Sequence, residues 1–210
     1  MLTLYITRHG ETEWNTEKRM QGWSDSNLTK KGKEHAVLLG NRLKEVQFEA
    51  IYSSPSKRSE MTATLIKGDK DIPMIFDERL REINMGIWEG KTFSYIKDNH
   101  PDEFHSFWNT PHLYESLGGE NFNELLNRIL TCMGSIQEKH ESGNILIVTH
   151  SVVIKALLAH FKKRPLEKLW DPPFIHDTSL TVIELLEKGS KIVMEGDLLH
   201  RETGHEIKKV

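Results

Sequence analysis

The first residues that could do chemistry are an arginine and a histidine that directly follow an apolar run. Residues 2–6 read Leu-Thr-Leu-Tyr-Ile, which is typical of a buried strand, and Arg8 and His9 come after it. Open α/β sheets bind their ligands at the carboxyl ends of their strands. A guanidinium repels metal ions but matches phosphate oxygens in two-point contacts. The pattern therefore indicates a phosphate site in which His9 accepts a phosphoryl group.

A second histidine occupies the same kind of position later in the chain. His150 closes the apolar run 144–149, so a second strand would carry an imidazole at its end. Between the two histidines, Arg58 follows the strand pattern 50–53, and Glu82 offers a carboxylate. Two imidazoles, two guanidiniums and one carboxylate could together bind a phosphate and transfer it.

This set of residues resembles the histidine phosphatase superfamily, also called phosphoglycerate-mutase-like, from residue 2 to about residue 185. Four segments resemble most the cofactor-independent, broad-specificity phosphatases of bacilli, the PhoE kind. They are residues 8–15, residues 21–25, Trp88-Glu89-Gly90 and Asp171-Pro172-Pro173. The resemblance implies a phosphoglycerate-mutase-like fold, an α/β architecture of three α/β/α layers, and a phosphatase that needs no cofactor and no metal.

Each of the five residues can be given a role in phosphoryl transfer. Arg8 and Arg58 would bind the phosphate oxygens, and His150, if cationic, would add a third positive contact. His9 must be neutral, with one ring nitrogen bound to an acceptor such as a backbone carbonyl, so that the other can attack phosphorus. Glu82 would protonate the leaving group and later deprotonate water, and the nearby phosphate dianion should raise its pKa.

Four further residues resemble, or sit beside, the family's substrate contacts. Asn15, Gln21 and the backbone of Gly22 look like ancillary phosphate ligands, although Asn15 and Gln21 could instead be turn or capping residues. Ser151 stands where the family usually has glycine. Its backbone N–H or hydroxyl could contact phosphate, or its bulk could narrow the pocket. Gly10 is expected to allow a tight turn beside the nucleophile.

The elements that must position these residues alternate along the chain. Strand patterns cover residues 2–7, 50–53, 72–76, 144–149, 179–186 and 191–197. Helical patterns lie between them: one begins after Thr29, one begins at Phe122, and one covers 151–162 with its amino end at the site. The alternation predicts a largely parallel sheet covered on both faces, and Lys188-Gly189-Ser190 predicts a hairpin with an antiparallel edge.

A length of 210 residues favours a single domain over residues 1–210. Within it, residues 91–120 are rich in aromatic side chains and are interpreted as short helices that cap the site. The alternative is that these aromatics pack only against each other as a satellite cluster. Residues 201–210 are polar and are expected to be a frayed tail.

Composition limits the possible partners. The net charge of −3 and a pI near 6.4 argue against nucleic acid and against anionic membranes. No apolar run approaches the ~18 residues of a membrane helix. A single cysteine, Cys132, excludes an internal disulfide and fits a reduced, cytoplasmic location, and its place in an apolar helical pattern favours packing over catalysis. Nothing in the sequence marks an oligomer interface.

The function that fits best is the hydrolysis of small phosphate monoesters, with broad specificity, through a phosphohistidine at His9. A phosphoglycerate mutase with the same chemistry is the alternative, but residues 91–120 contain only Lys91 and Lys97 as cations to grip a second acidic group. A metallohydrolase is disfavoured by the two arginines, and an inert binding module by the complete set of catalytic residue types. Four aromatic residues would suit an apolar leaving group: Trp23, Trp88, Phe107 and Trp108.

Overall fold

The structure is a computed structural model and describes residues 1–201. Six strands form one mixed sheet in the order β3-β2-β4-β1-β5-β6. The strands are β1 (Leu2–Arg8), β2 (Ala50–Ser53), β3 (Met74–Phe76), β4 (Gly143–Thr149), β5 (Leu180–Leu185) and β6 (Ser190–Asp197). All six predicted strands are present. β3 begins two residues later than expected because Pro73 has no N–H to donate to the sheet.

Seven α-helices connect or flank the strands in the described residues. They are α1 (Glu13–Thr16), α2 (Lys30–Arg42), α3 (Lys57–Lys67), α4 (Phe93–Asn99), α5 (Pro101–Asn109), α6 (Phe122–Lys139) and α7 (Ser151–Phe161). Short 3-10 helices cover Glu78–Leu80, Gly86–Trp88, Pro111–Leu113, Leu166–Lys168 and Leu199–Arg201. The side chain of Thr29 caps α2 by accepting from Gly32 N–H, as predicted for the start of this helix.

The centre of the sheet is parallel and one side is antiparallel. β1 pairs in parallel with β4, and β2 pairs in parallel with both β4 and β3. β5 is antiparallel to β1 and to β6, so the predicted hairpin edge is confirmed, and a second antiparallel pair joins it to the parallel strands. The predicted α/β fold class is confirmed.

Side chains alternate between two hydrophobic clusters, one on each face of the sheet. On β4, Ile145 and Ile147 join the larger cluster with residues of α6 and α7, whereas Leu146 and Val148 join the smaller one with residues of α2 and α3. This alternation is the two-residue period of a strand, and it leaves the sheet covered on both faces. The carboxyl ends of β1 and β4 are therefore fixed side by side.

Residues 91–120 form α4, α5 and a 3-10 helix, in agreement with the predicted short helices. Phe107, from α5, is fully buried and makes ring contacts with Tyr114, Phe122 and Trp170. The aromatics thus join the large cluster rather than a separate one. Of the predicted tail, residues 202–210 lie outside the described residues. Over residues 1–201, no helix combines the length and the apolar character needed to cross a membrane.

Candidate active site

The two histidines meet at the carboxyl ends of the two central parallel strands. His9 follows β1, and its backbone N–H donates to the carbonyl of Thr149, the last residue of β4, over 2.9 Å. His150 follows Thr149 directly, and the two imidazole centroids are 5.2 Å apart. Both imidazoles are buried. The pairing of neighbouring strand ends therefore brings together residues that are 141 positions apart in sequence (150 − 9).

His9 is held in one tautomer by its own loop. Its Nδ1 lies 2.8 Å from the carbonyl oxygen of Gly10, and a carbonyl can only accept, so Nδ1 carries the proton and Nε2 a lone pair. Burial, and then the charges of Arg58 and Arg8, hold the pKa of His9 well below its ordinary value. The imidazole is therefore neutral near pH 7, as a nucleophile at this position must be.

Gly10 is needed because two backbone segments approach closely. A Cβ at Gly10 would lie 2.6 Å from the carbonyl oxygen of Gly32 in α2, and the backbone of Gly10 does not have a positive φ. The backbone beside His9 therefore does not need the positive φ that favours glycine, and the need for glycine comes from this contact with α2. Gly10 N–H also donates to the hydroxyl of Thr62 on α3, so the loop that follows His9 is packed between α2 and α3.

Arg58 lies in the first turn of α3 and is almost completely buried. Its Nη1 donates to the carbonyl of Ser24 over 2.6 Å and to Asp25 Oδ1 over 2.7 Å, and its Nη2 donates to the carbonyl of Gly22 over 2.7 Å. The loop that contains Gly22 thus holds the guanidinium through its carbonyls. The backbone carbonyl of Gly22 is therefore bound to Arg58. The φ of Gly22 is +57°, in the region that favours glycine.

Arg8 is the last residue of β1 and has free donors at the site. Nη1 donates to the carbonyl of Ile175 over 3.0 Å, and Nε is buried with no hydrogen-bond partner among the described residues. Arg58 Nε is in the same condition. Burial lowers the pKa of Arg8, and the charge of Glu82 opposes that shift. Buried N–H groups without partners are costly, so both arginines are suited to bind an anion.

His150 is neutral in the field of the protein's own charges. Arg58 Nη2 lies 3.3 Å from His150 Nδ1, and because a guanidinium can only donate, Nδ1 accepts. His150 Nε2 lies 2.8 Å from the hydroxyl of Ser54. Burial and the charge of Arg58 hold the pKa of His150 well below its usual value. The conditional expectation of a cationic His150 is corrected accordingly: here the imidazole orients Arg58.

Glu82 is buried, with its carboxylate held by donors from two segments. Oε1 accepts from Ile83 N–H over 3.0 Å, and Oε2 accepts from Val152 N–H over 3.2 Å and from the Ser151 hydroxyl over 3.3 Å. Burial raises the pKa of Glu82, and the two backbone donors oppose this shift. Desolvation therefore already produces the shift that the sequence interpretation attributed to a bound phosphate.

The nearby carboxylates have structural partners instead. Glu89 accepts from the backbone N–H groups of Trp23 and Ser24, over 2.8 and 2.9 Å. Glu78 pairs with Arg81 on the surface. Neither Glu89 nor Glu78 lines the cavity in front of the two histidines, whereas Glu82 does.

A cavity of about 470 Å³ opens in front of these groups. Eight of the nine predicted site residues line it: Arg8, His9, Asn15, Gln21, Gly22, Arg58, Glu82 and Ser151. His150 lies behind them and reaches the site through Arg58. Asn15 also forms a capping box with Thr12, so its expected phosphate contact and its capping alternative are both compatible with its place.

Most of the remaining cavity wall is apolar. Phe107 and Trp108 line it as expected, but Trp88 is buried in the core and Trp23 binds the carbonyl of Glu82 outside the lining. The expectation that Trp23 and Trp88 face the leaving group is therefore corrected. The apolar residues that sequence reasoning missed are Met20, Met85, Phe93, Val152, Trp170, Phe174 and Ile175. Trp170, Phe174 and Ile175 flank the Asp171-Pro172-Pro173 segment, and the family resemblance of that segment could have indicated them.

Metal and thiol chemistry have no candidate site in the part of the chain that is described. Residues 1–201 contain no group of three or more His, Cys, Asp or Glu side chains placed to hold a metal ion. Cys132 is buried in α6, and burial beside Asp77 raises its thiol pKa to about 12. A thiol with so high a pKa is not a nucleophile near neutral pH, which agrees with its predicted packing role.

The geometry has close parallels among known proteins. Residues 4–197 match the histidine phosphatase superfamily, branch 1. Phosphoserine phosphatase 1 of Hydrogenobacter thermophilus is 31% identical over 193 residues, which are 92% of this chain and 91% of the relative. YhfR of Bacillus stearothermophilus is 49% identical, with a TM-score of 0.94 over 96% of this chain and 100% of its own. A Bacillus anthracis phosphoglycerate mutase is 29% identical, with a TM-score of 0.80 over 95% and 94% of the two chains.

Proposed function

This chain belongs to the histidine phosphatase superfamily, and we propose that it is a phosphatase that hydrolyses small phosphate monoesters through a phosphohistidine at His9. The observation that carries the proposal is the hydrogen bond from His9 Nδ1 to the carbonyl of Gly10. It leaves the Nε2 lone pair available in a cavity that also contains the Arg8 and Arg58 guanidiniums. A neutral nucleophile beside permanent cations is the arrangement that attack on a phosphate dianion requires.

In the first half-reaction, His9 Nε2 attacks phosphorus and the bond from phosphorus to the ester oxygen breaks. Arg8 and Arg58 stabilise the charge on the equatorial oxygens through their free donors. Glu82, kept partly protonated by its burial, gives its proton to the leaving oxygen, so that an alcohol departs. His150 remains neutral and accepts from Arg58 Nη2, which keeps that guanidinium in place at the phosphate.

In the second half-reaction, a water oxygen attacks the phosphorus of the phosphohistidine. Glu82 is now a carboxylate and takes one proton from that water. The bond from phosphorus to nitrogen breaks, and its electron pair returns to His9 Nε2. Inorganic phosphate then leaves, and the protonated Glu82 is ready for the next ester. One carboxyl therefore serves as acid and as base.

The shape of the cavity supports broad specificity with a preference for apolar leaving groups. Beyond the phosphate end, Phe107, Trp108 and Trp170 provide aromatic surface, and the cations Arg19 and Lys155 in the same wall are bound to backbone carbonyls. We expect kcat/KM to rise with the apolar area of the alcohol across a panel of phosphate esters. A profile that is flat across the panel would contradict this preference and leave the hydrolysis itself intact.

A phosphoglycerate mutase is the second candidate, because the similar protein from Bacillus anthracis is a phosphoglycerate mutase. A mutase must grip a second acidic group. Neither Lys91 nor Lys97 lines the cavity. Besides Arg8 and Arg58, the cations in its wall are Arg19 and Lys155. Arg19 donates to a backbone carbonyl of the Trp88-Glu89-Gly90 segment, and Lys155 donates to backbone carbonyls of the Asp171-Pro172-Pro173 segment. Arg19 Nε and Nη1 and Lys155 Nζ are thus bound within the chain, which favours hydrolysis over isomerisation.

The decisive experiment traps the intermediate. Rapid quench with a ³²P-labelled ester should give label on the protein that is stable to alkali and lost in acid, and His9→Ala should remove it. Label on another residue, or none during turnover, would refute the proposal.

Incubation with 3-phosphoglycerate and its bisphosphate should release phosphate, whereas rapid formation of 2-phosphoglycerate would favour the mutase. Full activity in a chelator is expected, because no step uses a metal.

A further inference from the structure

Ser151 points its hydroxyl at the carboxylate of Glu82. The Ser151 Oγ and the Val152 N–H both lie within hydrogen-bond distance of Glu82 Oε2, at 3.3 and 3.2 Å. Ser151 is the first residue of α7, which follows β4 directly, so this hydroxyl is fixed by the same strand end that carries His150. The residue type departs from the glycine that is usual in the family at this place.

We propose that Ser151 is a positioning residue that holds the Glu82 carboxyl in its working orientation through both half-reactions. The inference rests on the proposed function, because it concerns the proton that Glu82 gives and takes. The physical reason is the versatility of a hydroxyl. Val152 N–H can only donate, whereas the Ser151 hydroxyl can donate to the carboxylate or accept from the protonated acid. The contact therefore persists when Glu82 changes its protonation state.

This placement differs from the two roles that the sequence alone left open. A direct phosphate contact would require the hydroxyl to face the guanidiniums, but its hydrogen-bond partner is Glu82 Oε2. Ser151 lines the cavity, and its hydroxyl is bound to the carboxylate of Glu82. A chain with glycine at position 151 would lack this hydrogen bond to Glu82, and the hydrogen bond, rather than the bulk of the serine, is the difference that matters here.

The charges around Glu82 determine what the loss of this contact would do. Arg8 from β1 and Arg58 from α3 act on the carboxyl and favour its ionised form. Arg128 from α6 binds the backbone carbonyl of Glu82 over 3.2 Å. These cations remain in a Ser151 variant, so only one donor to Oε2 is lost. Removal of a donor from a carboxylate disfavours its ionised form and raises its pKa.

The test compares Ser151→Ala with Ser151→Thr, which keeps the hydroxyl, and with Ser94→Ala, an exposed serine on α4 outside the cavity. Two esters are used. 2-Phenylethyl phosphate has a strongly basic leaving group that needs a proton, and p-nitrophenyl phosphate has a weakly basic one that does not. kcat/KM, which reports the first half-reaction, is measured for both esters across pH.

For Ser151→Ala we expect kcat/KM to fall about tenfold with the alkyl ester and much less with the nitrophenyl ester. A tenfold loss is what the removal of one hydrogen bond to a charged group should cause. The basic limb of the pH profile should move upward, while the acidic limb stays where it was. Ser151→Thr should restore the alkyl rate in large part, and Ser94→Ala should match the wild type. Melting temperatures verify that each variant is folded.

The possible failures are distinguishable. A wild-type protein without turnover and without labelled His9 would refute the proposed function itself. If the wild type is active and Ser151→Ala matches it with both esters at every pH, the positioning role is wrong. Equal losses with both esters and unmoved pH limbs would also overturn it, and would assign Ser151 to the phosphate. If Ser151→Ala does not fold, Ser151→Gly, the residue usual in the family, takes its place with the same expected results.

Discussion

Arg128 donates a hydrogen bond from Nη2 to the backbone carbonyl oxygen of Glu82, over 3.2 Å. The same guanidinium donates from Nη1 to the carbonyls of Arg79 and Arg81, over 2.8 and 3.0 Å. Its Nε and Nη2 also pair with the carboxylate of Glu120, over 2.8 and 2.7 Å. One side chain of α6 therefore fixes the backbone on which the proposed acid stands, although it does not line the cavity.

The first prediction concerns this clamp. Arg128→Met should lower the free energy of unfolding by about 2 kcal/mol or more, because several part-buried acceptors lose their donor. It should also lower kcat/KM more for alkyl than for nitrophenyl esters, since the orientation of Glu82 is affected first. Urea unfolding and steady-state kinetics measure the two effects. Arg128→Lys keeps the charge but not the planar set of donors, so an intermediate result is expected. Wild-type behaviour of both variants would contradict the clamp.

The second prediction tests Glu82 as the proton carrier. Glu82→Gln preserves the size of the side chain but removes the acidic proton, so kcat/KM for alkyl esters should fall by about 10²–10⁴. The nitrophenyl ester should lose less in this step. Labelled phosphohistidine should then accumulate, because water lacks its base. Glu78→Gln is the control, because that carboxylate lies on the surface and pairs with Arg81. An equal loss with both esters, without accumulation, would assign the proton to another group.

The strand ends were the part of the site that the sequence could predict. A buried strand shows itself as a short apolar run, and the residue after it must lie at the sheet edge, so His9 and His150 could be placed from local pattern alone. The burial of Arg58 could not be predicted in the same way. Its partners are carbonyls of the loop with Gly22 and Ser24, and backbone groups carry no signal in the sequence.

Protonation and wall residues were less predictable because they depend on packing between distant elements. His150 is neutral because burial and Arg58 act together, and neither is visible in the strand pattern. Trp88 and Phe174 are both aromatic, yet the first is in the core and the second is 70% exposed at the cavity. Composition alone could not distinguish them. The family resemblance found the Glu82 carboxylate, but its contact with Ser151 required coordinates.

The third prediction uses two helical glycines with opposite surroundings. A Cβ at Gly32 in α2 would collide with the backbone of Glu11, which lies in the loop after His9. Gly32→Ala should therefore destabilise the protein by about 1–3 kcal/mol, as overpacking does, and lower activity by shifting that loop. Gly134 in α6 has nothing within 4 Å of its Cβ position, so Gly134→Ala should stabilise by about 0.5–1 kcal/mol. Denaturant unfolding of both variants measures the difference, and equal effects would contradict it.

The fourth prediction concerns stability at acid pH. Burial lowers the folded-state pKa of three buried histidines: His9 and His150 well below the ordinary value, and His200 to about 4. In the unfolded chain these groups titrate near the ordinary value of about 6.5. As the pH falls through that value, the unfolded state binds protons that the folded state does not. Stability should therefore be full above about pH 7 and decline below about pH 6.5, by up to about 1.4 kcal/mol per pH unit for each histidine.

Glu82 acts in the opposite direction. Its folded pKa is raised, so its contribution to stability is present below the ordinary carboxyl value and is lost as the pH rises through the folded value. A single carboxyl can offset only part of the acid loss that three histidines produce. Unfolding free energies measured between pH 7.5 and 5.5 should fall steeply, and His9→Asn should reduce the slope. Ser94→Ala, a change at an exposed position of α4 that involves no titratable group, should leave the slope unchanged. A stability that is constant over this range would mean that folding does not lower the pKa values of these histidines.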